Sequence, residues 1–176
     1  MIIICYMGGT AGDLVTATID GTDTRLDDRK VIIDSKRSKL KKPHLFATSS
    51  ETVEYIKSMT ENYSSLPSHC LDFHVEQRQD FIGIVVNTME TATWAATRFK
   101  ELHLPHVWEE VMKYSNISKV EEYASMMLNF SETIKKYTTK IISLEDILSG
   151  NLLTELDRLN IQATNPSLYE NWLSHR

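Results

Sequence analysis

The stretch from Met1 to Ile19 constrains this chain more than any other. Met1-Ile-Ile-Ile-Cys-Tyr6 is an apolar run of strand type, and Met7-Gly-Gly-Thr-Ala-Gly12 is a glycine-rich bend. A helix expected from Asp13 carries Leu14, Val15, Ala17 and Ile19. The first backbone N–H groups of a helix lack intrahelical partners, and its dipole adds positive charge at that end. A strand, a glycine loop and a helix in this order therefore form a cradle suited to an anion. The candidate binding set is Gly8, Gly9, Thr10, Ala11, Gly12 and Asp13. The cradle is not a nucleoside triphosphate loop of the pattern G-x-x-x-x-G-K-[ST]. That pattern needs Gly, Lys and Ser or Thr where this chain has Met7, Asp13 and Leu14, so the phosphate-binding charge and the Mg²⁺-binding hydroxyl are both missing. Asp13 reads more simply as a helix N-cap, and as a cap it would compete with an anionic ligand.

Periodicity along the rest of the chain predicts more of the same architecture. Asp20 to Arg29 reads as a polar loop, and Lys30 to Asp34 as a short strand or a buried helical turn. Lys36, Arg37, Lys39, Lys41 and Lys42 form a dense basic run, which is a solvated loop or a flap that meets an anion. A helix capped by Ser49 or Ser50 is expected to run to about Tyr63, followed by a turn over Ser64 to Ser68. His69 to Val75 alternates as a strand. Phe81 to Val86 is a continuous apolar run of the kind found in strands covered on both faces. Helices are expected from Met89 to Leu102 with Ala92, Ala95, Ala96, Phe99 and Leu102 inward, from Pro105 with Val107, Trp108, Val111 and Met112 as its apolar stripe, and from Ser118 carrying Val120, Tyr123, Ala124, Met127, Leu128 and Ile134. Lys140 to Leu144 is a late strand, Glu145-Asp146 opens a short helix, and Leu152 to Leu159 and Pro166 to Leu173 are terminal helices. Strands separated by helices predict an α/β fold with a mainly parallel sheet in three layers. Ligands of such sheets sit at the C-terminal strand ends, which gathers residues 7–13, 68–70 and 87–91 on one rim.

With 176 residues the chain is expected to form one domain spanning 1–176. Its net charge of −5 argues against broad attraction to nucleic acid or to an anionic membrane surface. No apolar run reaches membrane-spanning length, and the apolar start lacks the basic flank of a signal peptide. Cys5 and Cys70 read as buried small hydrophobes rather than a disulfide or metal pair, and a cytoplasmic, reducing compartment is the expectation. No metal site is expected, since Pro105 breaks the helix that would align His103 with His106 and no cysteine cluster supports them.

Landmark order adds a resemblance. The glycine loop after the first strand, Ser68-His69 at a middle strand, Ile82-Gly-Ile-Val-Val86 running into the helix from Asn87, and the late Ile142-Ser-Leu-Glu145-Asp146 together resemble a compact, divergent P-loop protein of the sulfotransferase type. The chain is similar in this respect to small members encoded by bacterial viruses. The resemblance spans residues 1 to about 173 and rests on order and local pattern. It implies a P-loop nucleoside-triphosphatase-like, sulfotransferase-like topology. It also implies 3′-phosphoadenosine 5′-phosphosulfate as donor at the 7–13 loop, and His69 as the base for an acceptor hydroxyl. Asn87 then stands where the family has an Arg on the 3′-phosphate, and Thr91 or Thr93 stands for a helical Ser. The chain departs from the family in lacking the basic residue of the first loop and the Lys before Ser68-His69.

Four readings follow. The chain is a transferase that uses a phosphate-containing donor, a nucleotide kinase-like protein, half of a two-domain glycosyltransferase that needs a partner subunit, or a non-catalytic binding or regulatory protein on a degenerate P-loop scaffold. Its partners are a nucleotide or another phosphate-containing small molecule, or a protein. Among lesser candidates, His74 is expected on the strand face opposite His69. Arg98 reads as a surface ion-pair partner. Trp94 and Trp108 could stack on a base, with core packing expected for at least one.

Overall fold

The computed structural model describes residues 1–20, 64–102, 108–109, 112–113 and 116–175. The strands are β1 (Ile2–Cys5), β2 (Ser65–Ser68), β3 (Ile82–Val85) and β4 (Ile141–Ser143). The helices are α1 (Gly12–Asp20), α2 (Leu71–Glu76), α3 (Met89–Leu102), α4 (Val120–Tyr137), α5 (Leu144–Leu148), α6 (Leu152–Arg158) and α7 (Pro166–Ser174). The described strands form one sheet in the order β2-β1-β3-β4, and every pair is parallel. The α/β class and the parallel sheet are thus as expected, and the arrangement is compatible with three layers. Residues 21–63, which hold the expected 30–34 strand, the basic run at 36–42 and the 49–63 helix, lie outside the described residues.

Strand side chains alternate between two buried clusters, as a period of two requires. Ile4, Ile82, Ile84 and Ile142 join a cluster with Leu14 and Val15 of α1, Ala92, Ala95 and Ala96 of α3, and Leu168 and Tyr169 of α7. Ile3, Cys5, Phe81 and Val85 join the other, with Leu71 of α2 and Ile134 of α4. Burying one such aliphatic side chain contributes about 1.5–3 kcal/mol. The alanines of α3 let that helix lie close to its neighbours. The stripe Tyr123, Ala124, Met127 and Ile134 of α4 is buried as its spacing predicts. Trp108 and Met112 are buried too, while 105–107 and 110–111 of the expected helix lie outside the described residues. Both cysteines are buried, and burial pushes the Cys5 thiol up to about 12.

One segment corrects the sequence reading. Ser65–Ser68, expected as part of a turn, is β2, and Leu71–Glu76, expected as strand, is helix α2. Pro67 suggests a turn because it has no N–H to give to a ladder. Here it lies opposite Ile4 on the sheet edge, where one side of the strand has no described partner strand to serve. In the next segment Leu71, Phe73 and His74 are buried and Asp72 is exposed. Over six residues the pair 71 and 74, at helical spacing, cannot be told from alternation. His74 consequently sits on a helix and not on the far face of a strand. Smaller shifts occur elsewhere. α5 begins at Leu144, capped by the Ser143 hydroxyl, which accepts from the Asp146 N–H at 3.0 Å. α4 begins at Val120, and the Glu122 carboxylate reaches back to the Ser118 and Lys119 N–H groups at 2.6 and 3.2 Å.

Candidate functional site

The rim built by the C-terminal ends of β1, β2 and β3 starts with the glycine loop. α1 begins at Gly12 rather than Asp13. The Ala11 carbonyl accepts the first helical bond from the Val15 N–H at 3.1 Å, so Ala11, with φ +61°, holds the cap position. Asp13 lies in the first turn, and its carboxylate accepts the Tyr6 hydroxyl at 2.8 Å. Burial, followed by the neighbouring Asp13 carboxylate, raises the Tyr6 pKa well above its ordinary value. The loop closes on itself through Thr10, whose N–H and hydroxyl both donate to the Met7 carbonyl, at 3.1 and 2.7 Å. Its glycines are needed for close approach. A Cβ on Gly8 would stand 2.7 Å from the Phe99 ring and 3.0 Å from the Tyr123 hydroxyl. One on Gly9 would stand 2.9 Å from the Ala95 carbonyl, at a φ of +93° that an L side chain resists. One on Gly12 would enter the Tyr6 ring. The Tyr123 hydroxyl donates to the Gly8 carbonyl at 3.3 Å, and Phe99 and Tyr123 stack with ring centroids 5.3 Å apart.

His69 follows β2 directly and is half-buried. Its Nδ1 lies 2.8 Å from the Tyr6 carbonyl, and its ring centroid is 4.3 Å from that of Tyr6. A carbonyl only accepts, so Nδ1 carries the proton and Nε2 is the basic nitrogen of the neutral ring. His74 is fully buried. Its Nδ1 donates to the Gln79 Oε1 at 2.7 Å, and its Nε2 accepts from the Ser68 hydroxyl at 2.6 Å. Burial lowers the His74 pKa and keeps the ring neutral, with the Gln79 bond opposing. The Ser68 oxygen in turn accepts the Cys70 N–H at 3.1 Å.

At the end of β3 Asn87 is held by a carboxylate of the chain itself, while Thr91 is bonded to the Thr88 hydroxyl. Glu145 Oε1 accepts the Asn87 N–H at 2.9 Å and the Thr88 N–H at 3.1 Å, and Glu145 Oε2 accepts Asn87 Nδ2 at 3.3 Å. The Thr88 hydroxyl caps α3 by accepting the Thr91 N–H at 3.1 Å. Arg98 forms a surface pair with Glu101 at 3.1 Å. Trp108 packs in the core beside Phe99 and Tyr123, and Trp94 is exposed. Among the described residues no group of three or more His, Cys, Asp or Glu is placed to hold a metal ion, and no helix is long and apolar enough to cross a membrane.

The structure therefore brings the loop, Tyr6 and His69 together, and at a second point it sets Asn87 on Glu145 and Thr91 on Thr88. Of the groups expected on a 3′-phosphate, Asn87 already serves the Glu145 carboxylate. Three features escaped the sequence reading. Glu145 is visible as a late acidic residue, but its partners are more than fifty residues away. Phe99 and Tyr123 carry only a core signal. The Ser68–His74–Gln79 chain depends on a helix that the pattern concealed. No family model, curated protein or solved structure matches this chain.

Proposed function

We propose that this protein is a sulfotransferase-like, P-loop-type protein that transfers a group from a phosphate-containing donor held at the 7–13 loop. His69 would be the base. The observation that carries this reading is the His69 ring held by the Tyr6 carbonyl, immediately before the loop, with Nε2 as its basic nitrogen. A neutral imidazole so fixed can take the proton of an acceptor hydroxyl near neutral pH. Strand order supports the same place. In β2-β1-β3-β4 the chain leaves β1 for one side and then returns to the other, and the crevice at such a reversal is where parallel sheets bind ligands. The backbone of the loop and the first turn of α1 would hold the donor phosphate. Rate would come from positioning and from electrostatic stabilisation of the transferred group. Binding of 3′-phosphoadenosine 5′-phosphosulfate as the donor would require Glu145 to release Asn87.

A second reading is favoured by what fills the rim. Glu145 occupies the amides after β3, and Phe99 and Tyr123 close over Gly8. A protein that binds a nucleotide or a protein partner without catalysis needs no emptier site.

Thermal unfolding with a panel of ligands separates the two readings. The panel holds 3′-phosphoadenosine 5′-phosphate, its sulfated form, ATP with and without Mg²⁺, nucleoside monophosphates and UDP-sugars. A ligand at a hundred times its dissociation constant adds about 2.7 kcal/mol, which raises the melting temperature by roughly 5–10 °C. Transfer from a stabilising donor, lost in His69→Ala, supports the enzyme. Stabilisation without transfer supports the second reading, and equal transfer by His69→Ala removes His69 as the base.

A further inference from the structure

Ser68 and His74 are both fully buried, and the proposed chemistry uses neither. Buried polar side chains are retained only where their hydrogen bonds are complete, and these are. Gln79 is pinned by its own N–H to the His74 carbonyl at 2.9 Å, and its side-chain oxygen takes the His74 Nδ1 proton. That bond fixes the His74 tautomer and makes Nε2 an acceptor for the Ser68 hydroxyl proton. The Ser68 oxygen is thereby turned to accept the Cys70 N–H, which closes a three-residue bend whose middle residue is His69. The Ser68 carbonyl accepts the Tyr6 N–H at 3.0 Å, while the Tyr6 carbonyl takes the His69 ring. The Ser68 carbonyl before His69 and the His69 ring are thus both tied to Tyr6, the residue after β1, and the tie runs back through Ser68 to His74 and Gln79.

We propose that the buried chain Gln79–His74–Ser68 positions His69. Ser68 and His74 hold the bend that seats the His69 ring on Tyr6 and selects the tautomer with basic Nε2. The role assigned to His69 rests on the function proposed above, but the positioning itself is a property of the fold and is measured without turnover.

The test is two-bond ¹H–¹⁵N correlation of the histidine rings in the full-length ¹⁵N-labelled protein. Its six histidines are separated by the resonance that disappears in His69→Gln. The parent is expected to show His69 as the Nδ1–H tautomer, with a ring-current shift from Tyr6. Ser68→Ala is expected to lose both, giving a tautomer mixture. Gln79→Leu, at a half-buried position, is expected to move His69 the same way, and Gln79→Glu, which keeps the acceptor, to restore it. Should Ser68→Ala fail to fold, the two Gln79 variants carry the test. An unchanged His69 tautomer and ring-current shift in a folded Ser68→Ala or Gln79→Leu protein overturns the proposal. A His69→Ala protein that transfers as fast as the parent overturns the catalytic role and leaves the positioning result standing.

Discussion

His69 and His74 share a residue type and a neighbourhood, yet burial separates their chemistry. His69 is half-buried against Tyr6, whereas His74 is enclosed between Ser68 and Gln79 with no exposed surface. The folded His74 pKa lies below the ordinary histidine value, so at mildly acid pH the unfolded chain binds a proton that the folded chain refuses. The contribution of this group is complete above about pH 6.5, the unfolded value, and is lost as the pH falls below it toward the folded pKa. Urea unfolding between pH 8 and pH 5 should show stability declining below that point, by at most about 1.4 kcal/mol per pH unit for one proton. His74→Gln should flatten that decline relative to the parent. An equal decline in both would assign the acid sensitivity to other groups. The sequence named His69 through the resemblance carried by Ser68-His69, but set it at the start of a strand, whereas it follows the end of β2. It misplaced His74, because six residues are too few to separate a helical repeat from alternation.

Elements were legible where their patterns were long. α3 and α4 have repeats of several turns, and their buried faces are those expected. β1 and β3 are nearly continuous apolar runs, as strands covered on both sides must be. The failure at β2 arose because Pro67 signals a turn unless the strand lies at an edge, and edge position is a property of the whole sheet. Helix ends depended equally on distant partners. The start of α3 is satisfied by Glu145, which follows β4. Glu145→Gln keeps the shape but removes the negative charge at the helix dipole, and should cost about 0.5–2 kcal/mol in a urea melt. The same variant tests the rim. If a phosphate-bearing ligand uses Asn87 and Thr91, it should bind more tightly once that carboxylate is neutral. Weaker or unchanged binding would place the ligand elsewhere.

Across the whole molecule, the two ends of the described chain hold each other. The Thr164 and Asn165 N–H groups donate to the last carbonyls of α1, Ile19 and Thr18, both at 3.1 Å. Tyr169 of α7 is buried, and its hydroxyl donates to the Ile147 carbonyl at 2.6 Å and accepts the Leu152 N–H at 3.4 Å. The C-terminal helix therefore braces the helix that carries the glycine loop. Tyr169→Phe should cost about 1–3 kcal/mol by leaving those backbone groups unserved, read as a lower urea midpoint with an unchanged slope. A changed slope would mean that α7 detaches before the rest unfolds. By itself the sequence determined the α/β class, the opening strand–loop–helix unit and the apolar faces of the long helices, because each follows from residue periods within one segment. Only the tertiary structure decided that Pro67 lies in the edge strand of the described sheet, that Glu145 fills the end of β3, that Phe99 and Tyr123 cover Gly8, and that Ser68 and His74 meet. Those outcomes are contacts between residues distant in the chain or across a turn, and their geometry exists only once the sheet has chosen its strand order.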